Sequence, residues 1–318
     1  MNWGFIGFGR IARKFLSSLQ SVQGETAYAF ASRSNASELE KEFPDVKVHD
    51  SYEGLLADPD IDIVYISTTH NFHCQNVIDA LNAGKHVLCE KPMGISSEEI
   101  ETMITVANKS GKFLMEAMWM RFLPAYREAI RRAKSGEIGD IQYITASFGF
   151  NSPNLKPDGR LLNPDLAGGA LYDVGVYPLT IVSDIFGWQP DSFSAQAVLS
   201  ETGIDQSIQV QLSHEGGKMA QVFGSIAMNT NKEACIYGSE GFIKLPLFWK
   251  AENFEVHKGD SIEKVELPFK STGYVHEIEE VAKCIKQGKT ESPLFNLNDS
   301  LMSANLVERI LSSIFNQP

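Results

Sequence analysis

The chain has 318 residues, a length that suits two domains better than a single core. Its formal net charge of −12 argues against a nucleic-acid partner, since phosphate contacts need clustered lysine and arginine. Hydrophobic residues make up 43% of the chain and charged residues 21%, as in ordinary globular proteins. No run reaches the roughly 18 apolar residues of a membrane span, and no signal peptide is recognisable. We therefore expect a cytoplasmic protein without a membrane or nucleic-acid partner.

The first 120 residues alternate between apolar strands and amphipathic helices. The predicted strands are residues 2–6, 26–32, 61–66, 86–89 and 113–116. The predicted helices are residues 10–19, residues 71–83 and a segment capped around residues 96–99. Strands that alternate with helices are joined by right-handed parallel crossovers. We therefore predict an α/β domain with a doubly wound parallel sheet over residues 1–120.

The pattern changes after residue 120. A basic helix is predicted at residues 124–135, and two amphipathic helices at residues 275–287 and 298–315. Between them lie predicted strands at residues 141–150, 193–200, 207–213, 219–227, 234–237, 242–245 and 254–257, several of them separated by glycine-rich turns. Residues 121–318 are therefore predicted to form a second, α+β domain with a large, mostly antiparallel open sheet.

A glycine-rich loop follows the first strand and opens the first helix. Its sequence is Gly7-Phe8-Gly9-Arg10-Ile11-Ala12. Gly7 permits a tight turn, Gly9 lets the backbone approach a pyrophosphate, and a small residue at position 12 fits the helix–strand contact. The alternative is a plain glycine turn before a helix. Its place on the first strand and helix favours a dinucleotide site, in which we predict that residues 7–11 contact the cofactor.

The end of the second strand indicates which cofactor is used. Sites that prefer NAD usually carry an acidic residue there, which binds the ribose 2′-hydroxyl. This chain has Ser32-Arg33-Ser34 instead, and the nearest downstream acid is Glu38. Arginine forms paired, charge-assisted bonds to phosphate oxygens, so Ser32 and Arg33 favour NADP, with NAD possible. The alternative is that Arg33 is a solvated surface residue.

Lys91 stands at the carboxyl end of a short apolar strand, in the sequence Glu90-Lys91-Pro92. Ligands of open α/β sheets bind beyond these strand ends. A lysine there can donate a hydrogen bond to a substrate oxygen and stabilise its developing negative charge. The alternative is a solvated Glu90–Lys91 pair at the end of the strand.

A second candidate segment covers residues 166–178 and contains three glycines, Tyr172, Asp173 and Tyr177. Its glycines would permit close approach of the backbone to a ligand. Asp173 and Tyr177 are four residues apart, so they share one side of a helical turn. A tyrosine near a lysine can exchange a proton with a substrate hydroxyl. The alternative is a tight turn with a capping aspartate and a packed tyrosine.

These segments, in this order, resemble the glucose–fructose oxidoreductase/inositol dehydrogenase/MocA (Gfo/Idh/MocA) family over essentially the whole chain. The resemblance is carried by the glycine loop, residues 69–73, Glu90-Lys91-Pro92 and residues 168–177. A narrower likeness, to the branch of the dimeric dihydrodiol dehydrogenases and NADP-dependent D-xylose dehydrogenases, rests also on residues 115–124, 276–280 and 291–293.

The resemblance implies that the N-terminal domain is a Rossmann domain, and it implies roles for individual residues. It implies that Lys91 is the catalytic lysine, Tyr177 the acid/base and Asp173 a substrate-site aspartate. It places Thr68, Asn71, His73 and Glu90 with Lys91 on the cofactor side, and it implies a cis peptide before Pro92. It also implies that the open sheet face pairs subunits, as a homodimer or a higher even oligomer. Further candidates beside the substrate are Trp119, Arg121, Phe122, Asn151 and Arg160, for which packing or a surface ion pair is an equal alternative.

The sequence thus predicts an NAD(P)-dependent oxidoreductase that moves a hydride between nicotinamide and a secondary alcohol or hemiacetal carbon. The expected substrate is sugar-like or a cyclic trans-diol. The site is predicted to be metal-free, because no His/Cys/Asp/Glu cluster has ligand spacing. Two other functions remain: an NADP(H)-binding sensor without turnover, and a sugar oxidoreductase with tightly bound, recycled cofactor.

Overall fold

The structure is a computed structural model that describes residues 1–32, 35–153 and 155–315. The chain divides into two units. Residues 1–119 and 270–301 form the first, and residues 120–269 with the chain from residue 302 onward form the second. The sequence prediction placed nothing after residue 120 in the N-terminal domain. The structure groups residues 270–301 with it because a late helix, residues 275–286, packs against the first helix of the chain.

The first unit is built on a six-stranded sheet in which every neighbouring pair is parallel. Its strands are β1 (Asn2–Ile6), β2 (Thr26–Ala31), β3 (Lys47–His49), β4 (Ile63–Ile66), β5 (His86–Glu90) and β6 (Leu114–Ala117). The strand order β3-β2-β1-β4-β5-β6 confirms the predicted doubly wound Rossmann sheet. The order reverses beside β1, and ligands of such sheets bind outside the carboxyl ends of the strands at that point.

In the described residues, five helices connect these strands. They are α1 (Arg10–Leu19), α2 (Ala36–Glu42), α3 (Tyr52–Leu56), α4 (His73–Asn82) and α5 (Ser97–Ser110). The predicted helix at residues 71–83 is a 3-10 turn (His70–Phe72) followed by α4. α5 begins at the N-cap Ser96, whose Oγ accepts from the Glu99 amide at 3.2 Å, while Glu99 Oε2 accepts from the amide of Ile95, the residue before the cap, at 2.8 Å. The sequence prediction missed α3 and β3 and gave no bounds for α2, because all three are too short to show a clear period.

The second unit contains a larger sheet and the helices α6 (Pro124–Lys134) and α7 (Val176–Phe186). Its strands are β7 (Ile141–Gly149), β8 (Ser192–Leu199), β9 (Asp205–His214), β10 (Lys218–Ser225), β11 (Ala234–Gly238), β12 (Gly241–Leu245), β13 (Asn253–Lys258) and β14 (Ser261–Glu266). The order is β14-β13-β12-β11-β7-β10-β9-β8. Only the β7–β10 pair is parallel among the strand pairs described. The predicted, mostly antiparallel α+β sheet is therefore confirmed, with the exposed edge strand β14 as an addition.

The two faces of the larger sheet differ. α7 packs against β7 and β10 on the face where the apolar residues of those strands alternate inward. On the other face, Tyr143, Tyr237, Phe242 and His257 lie directly across from one another on neighbouring strands. The rings of Phe242 and His257 stack with centroids 4.2 Å apart. The sheet is thus covered by helix on one face and carries a row of aromatic rings on the other.

The chain closes with the helices α8 (Val275–Lys286) and α9 (Leu297–Phe315). One described segment, Pro164–Phe186, is long and apolar enough to cross a membrane by length and composition, although the sequence prediction found no such run. It contains α7, and 83% of its apolar window is buried inside the protein. Since α7 packs on the sheet of its own unit, its apolar character is that of a core helix.

Candidate active site

The glycine loop turns sharply between β1 and α1. Gly7 has a φ of +82°, which disfavours any residue with a Cβ. A Cβ at Gly7 would lie 2.9 Å from Thr68 Cγ2 and 3.0 Å from the Thr68 amide nitrogen. Ser67 Oγ donates to the Gly7 carbonyl at 2.6 Å. Gly7 is therefore required by the close approach of the loop to the end of β4.

Gly9 has the opposite environment. A Cβ at Gly9 would meet no atom within 4 Å, so the protein itself leaves space beside this backbone. Gly9 is also the N-cap of α1, where no side chain caps the helix and no acidic residue stands in the first turn. The first amides of a helix attract anions. Gly9 and the start of α1 thus leave room for a dinucleotide phosphate, and the cofactor contacts of residues 7–11 stay a prediction.

The side chains of this loop have different surroundings. Phe8 is buried, and its ring stacks on Phe30 with centroids 4.0 Å apart. The Arg13 guanidinium lies 5.3 Å from the centre of the Phe8 ring and forms an ion pair with Glu42. Arg10 is exposed and Ile11 half-buried. Of the predicted cofactor contacts in the loop, Phe8 therefore offers its backbone, while its ring belongs to the core.

The predicted 2′-phosphate site is described only in part. Ser32 is buried, its amide donates to the His49 carbonyl at 3.3 Å, and its Oγ accepts from the Asn35 amide at 3.2 Å. Ser32 is thus engaged in holding the end of β2. Arg33 lies outside the described residues. Glu38 stands in the first turn of α2.

His73 joins the ends of two strands in the first unit. Its ring is fully buried, with Nδ1 2.8 Å from the Pro92 carbonyl and Nε2 3.1 Å from the Thr68 carbonyl. Burial lowers the pKa of His73, and a neutral imidazole donates through only one nitrogen. Nearby, Thr69 Oγ1 donates to Asn71 Oδ1 at 2.8 Å. His73 therefore braces the turn after β4 against the segment after β5.

Lys91 follows β5, at the same edge of the sheet as the glycine loop. The Lys91–Pro92 peptide is cis, as the resemblance implied. The preceding residue, Glu90, is buried, and its Oε1 accepts from the Tyr65 hydroxyl at 2.5 Å. Burial raises the pKa of Glu90, while the Tyr65 hydrogen bond and the Lys91 charge oppose that rise. Tyr65 thus fixes the carboxyl that directly precedes the lysine.

A second buried carboxyl, that of Glu277, interacts electrostatically with Glu90. Glu277 of α8 is completely buried, and neither of its oxygens has a hydrogen-bond partner in the described structure. Burial, and then the charge of Glu90, raises the pKa of Glu277 well above its ordinary value. The sequence pattern predicted α8 as an amphipathic helix and contained no signal that Glu277 faces the core. Glu277 and Tyr65 are therefore residues that sequence reasoning missed.

The predicted pocket-bordering residues are largely engaged within the protein. Trp119 is buried and stacks on Tyr274 with centroids 4.7 Å apart. Arg121 forms an ion pair with Asp184, whose other oxygen accepts from the Tyr126 hydroxyl at 2.6 Å. Phe122 is buried. These contacts correspond to the packing and ion-pair alternatives left open for these residues.

The second unit carries Asp173 and Tyr177. Residues 171–175 form a π-helical turn that runs directly into α7, a local form often found at functional sites. Arg160 Nη1 donates to Asp173 Oδ1 at 2.9 Å. Tyr177 is buried, with its ring 5.4 Å from Phe148. The structure thus brings Arg160 and Asp173 together and gives Asn151 a backbone bridge to Ala227 instead.

The glycines of this segment serve the fold. A Cβ at Gly168 would lie 2.6 Å from the Leu161 carbonyl oxygen, and one at Gly175 would lie 2.8 Å from Leu171 Cδ1. Gly169 has a φ of +125°, and its Cβ would lie 2.2 Å from Asp205 Oδ1. The sequence prediction assigned these glycines to ligand approach. The structure corrects it, because the space beside each glycine is occupied by the protein itself.

The part of the chain that the structure describes contains no ligand set for a metal ion. No group of three or more His, Cys, Asp or Glu side chains there could hold a metal ion. A metal-free site stays a prediction.

Two family models match the chain. The model of the "Oxidoreductase family, NAD-binding Rossmann fold" (GFO/IDH/MocA) matches residues 1–118. The model of the "GFO/IDH/MocA C-terminal domain" matches residues 126–244. The two matches fall in the same order along the chain as the parallel and the mostly antiparallel sheets.

Similar proteins cover nearly the whole chain. The trans-1,2-dihydrobenzene-1,2-diol dehydrogenase of Xenopus laevis is 33% identical, over 98% of this chain and 97% of its own. The enzyme of the same name from Mus musculus is 34% identical, over 99% and 97%. Among solved structures, a 3-ketoreductase from Actinomadura kijaniata in complex with NADP and TDP-benzene is 26% identical, with a TM-score of 0.89 over 99% of this chain and 98% of its own.

Proposed function

The chain belongs to the Gfo/Idh/MocA family of oxidoreductases, and on that basis we propose that its substrate is a sugar-like molecule or a cyclic trans-diol. The reaction moves a hydride between nicotinamide and a secondary alcohol or hemiacetal carbon. The observation that carries this proposal is the likeness to dihydrodiol dehydrogenases over nearly the full chain. A sensor without turnover is not favoured, because Lys91, Asp173 and Tyr177 are all present.

We assign the proton and charge chemistry to side chains of this protein. A bound nicotinamide supplies the carbon that accepts or donates the hydride. Lys91 donates a hydrogen bond to the reacting substrate oxygen and stabilises the negative charge that develops there. Tyr177 takes the hydroxyl proton in oxidation and returns it in reduction. Asp173, oriented by Arg160, binds a neighbouring substrate hydroxyl.

Turnover measurements test this assignment. Aldoses, inositols and trans-diols are screened with NADP and NAD by the absorbance of the reduced cofactor. Lys91→Met and Tyr177→Phe should each lower turnover about 10²–10⁴-fold, the usual scale for a positioned acid or base. Their combination should be little worse than either change alone, because groups that act as a unit are not additive.

Tyr172→Phe is the matched comparison, since it removes a hydroxyl from the same segment. Loss of turnover in Tyr172→Phe with normal turnover in Tyr177→Phe would transfer the acid/base role to Tyr172. Normal turnover in Lys91→Met would reject the lysine assignment.

We further propose that NADP is the preferred cofactor, on the basis of Ser32-Arg33-Ser34 and the lack of an acid at the end of β2. Arg33→Asp should weaken NADP binding by about 1.5–3 kcal/mol, the range for hydrogen bonds to charged groups, and should spare NAD. Titration of both cofactors by fluorescence measures this. Equal losses for the two cofactors would reject Arg33 as a ligand of the 2′-phosphate.

A homodimer or higher even oligomer is also proposed, formed through the aromatic row on the larger sheet. The half-buried aromatic rings of this row, with the exposed Met219 and Ile262 on neighbouring strands, favour burial of this sheet face against a partner. Light scattering at micromolar concentration should give an even subunit number, and Tyr237→Glu should lower it, since a charge would be buried there. A monomeric wild-type protein would contradict the proposal.

We also propose a cytoplasmic location, which cell fractionation tests.

A further inference from the structure

Asp205 is a buried carboxyl that the proposed chemistry leaves unused. It is the first residue of β9 and only 1% of its surface is exposed. Its Oδ2 accepts a hydrogen bond from the Leu171 amide at 2.7 Å. The backbone of Leu171, of Asp205 itself and of Ala170 favours the charged carboxylate and opposes the rise in its pKa. One buried side chain therefore holds the backbone at the point where the helical segment with Asp173 and Tyr177 begins.

The hydrogen bonds answer a local need of that segment. The first amides of a helix have no carbonyl partner within the helix. The residues just before this segment cannot supply a side-chain acceptor for these amides, because residues 168–170 are Gly, Gly and Ala. Asp205 reaches the segment from a different strand and takes the place of a local N-cap residue. The turn is thus fixed from outside by the sheet.

Gly169 is matched to Asp205. Its φ is +125°, and a Cβ at this position would lie 2.2 Å from Asp205 Oδ1, so any side chain there would displace the carboxyl. Asp173 follows within the same turn, and its amide donates to the Gly169 carbonyl at 3.0 Å. Asp205 therefore contacts Leu171 and Gly169, and Gly169 in turn bonds to Asp173, the residue that pairs with Arg160.

Stability alone gives a poor reason for a carboxyl at this position. Burial raises the pKa of Asp205 to about 7, so its charged form is costly in the folded chain. No charged side chain is among the groups that act on Asp205 in the described structure. A costly polar group kept in a core is expected where it serves function.

Resting on the proposed function, we infer that Asp205 is a positioning residue, which fixes the start of the π-helical turn so that Asp173 and Tyr177 meet the substrate in a reactive geometry. Asp205 acts through Leu171 and Gly169 and does not itself touch the substrate. A displacement of about 1 Å in a reacting group can lower the rate by about 10²-fold. Loss of this contact should therefore lower kcat and leave substrate and cofactor binding nearly unchanged.

Asp205→Asn tests the inference in the full chain. It keeps the shape of the side chain but turns one acceptor into a donor that faces backbone amides. We expect kcat to fall about 10–100-fold, with KM and the Kd of the cofactor changed less than about twofold. Hydrogen–deuterium exchange of the peptide that contains residues 170–177 should become faster.

Two further variants guard against a simple loss of stability. Gly169→Ala disturbs the same contact from the opposite side, so it should reproduce the kcat effect even if Asp205→Asn folds poorly. Val182→Ala removes buried apolar atoms from α7 without touching the contact, and it should leave kcat near the wild-type value.

The outcomes are distinguishable. Unchanged kcat in both Asp205→Asn and Gly169→Ala would overturn the inference, and so would an equal fall in Val182→Ala. If the wild-type protein turns over none of the screened substrates, the proposed function fails instead. Hydrogen exchange at residues 170–177 then decides alone whether Asp205 orders the turn, and unchanged exchange would overturn that as well.

Discussion

Replacing Glu277 with glutamine should make the protein more stable, and the gain should grow as the pH rises. Glu277 is fully buried in α8, and in the described structure neither carboxyl oxygen has a hydrogen-bond partner. Burial, followed by the charge of Glu90, raises its pKa well above the ordinary value of 4.5. As the pH rises above 4.5, the unfolded chain therefore releases a proton from Glu277 that the folded chain still holds.

The direction of the effect follows from this difference in proton binding. A carboxyl whose pKa is higher in the folded state favours folding most at low pH, and this contribution is lost as the pH rises above 4.5. Each pH unit over which only the folded state holds the proton costs about 1.4 kcal/mol. Glutamine does not titrate, so the stability of Glu277→Gln relative to wild type should rise with the pH above 4.5, by up to about 1.4 kcal/mol for each pH unit over which only the folded wild type holds the proton.

Urea unfolding followed by circular dichroism at pH 5, 6, 7 and 8 measures this gain. Glu279→Gln is the matched control, because Glu279 lies on the same helix but is exposed and paired with Lys270 at 3.1 Å. This comparison separates the effect of the buried position of Glu277 from the effect of removing any glutamate from α8. A difference for Glu277→Gln that is independent of pH, or that shrinks as the pH rises, would refute the buried, protonated state of Glu277.

Three other expectations concern the first unit. Gly9→Val should weaken cofactor binding without lowering the melting temperature, since a side chain there meets no protein atom. Gly7→Ala should lower both cofactor affinity and melting temperature, because Gly7 has a φ of +82° and a Cβ there would contact Thr68. A cofactor titration measures the first effect, and a thermal melt measures the second. Tyr65→Phe should cost about 1–3 kcal/mol in urea unfolding, because the buried Glu90 loses its hydrogen-bond donor. Phe15→Ala should cost about 3–5 kcal/mol in the same assay, since the Phe15 ring is buried and stacks on Tyr65 with centroids 3.9 Å apart; a loss below about 1 kcal/mol for either would contradict these contacts.

The sequence was most informative where the physics is local. Alternating strands and helices predicted the parallel sheet, and the glycine loop located the start of α1. The capping residues Ser96 and Glu99 marked the start of α5. Periodicity, caps and tight turns depend on residues within one or two turns of each other, so a single sequence records them directly.

Tertiary structure alone decided how the polar groups are paired. Asp205 bonds to the Leu171 amide across 34 residues of chain, and Arg121 pairs with Asp184 across 63. Neither partner stands at a spacing that any helix or strand pattern records. The glycines at 168 and 169 show the same limit, since the sequence marked them as unusual but only packing revealed that Leu161 and Asp205 fill the space beside them. Burial of a carboxyl depends on which distant segments cover it. From the sequence alone, Glu277 is therefore an ordinary helical residue, and only the packing of α8 within its unit shows that it is buried.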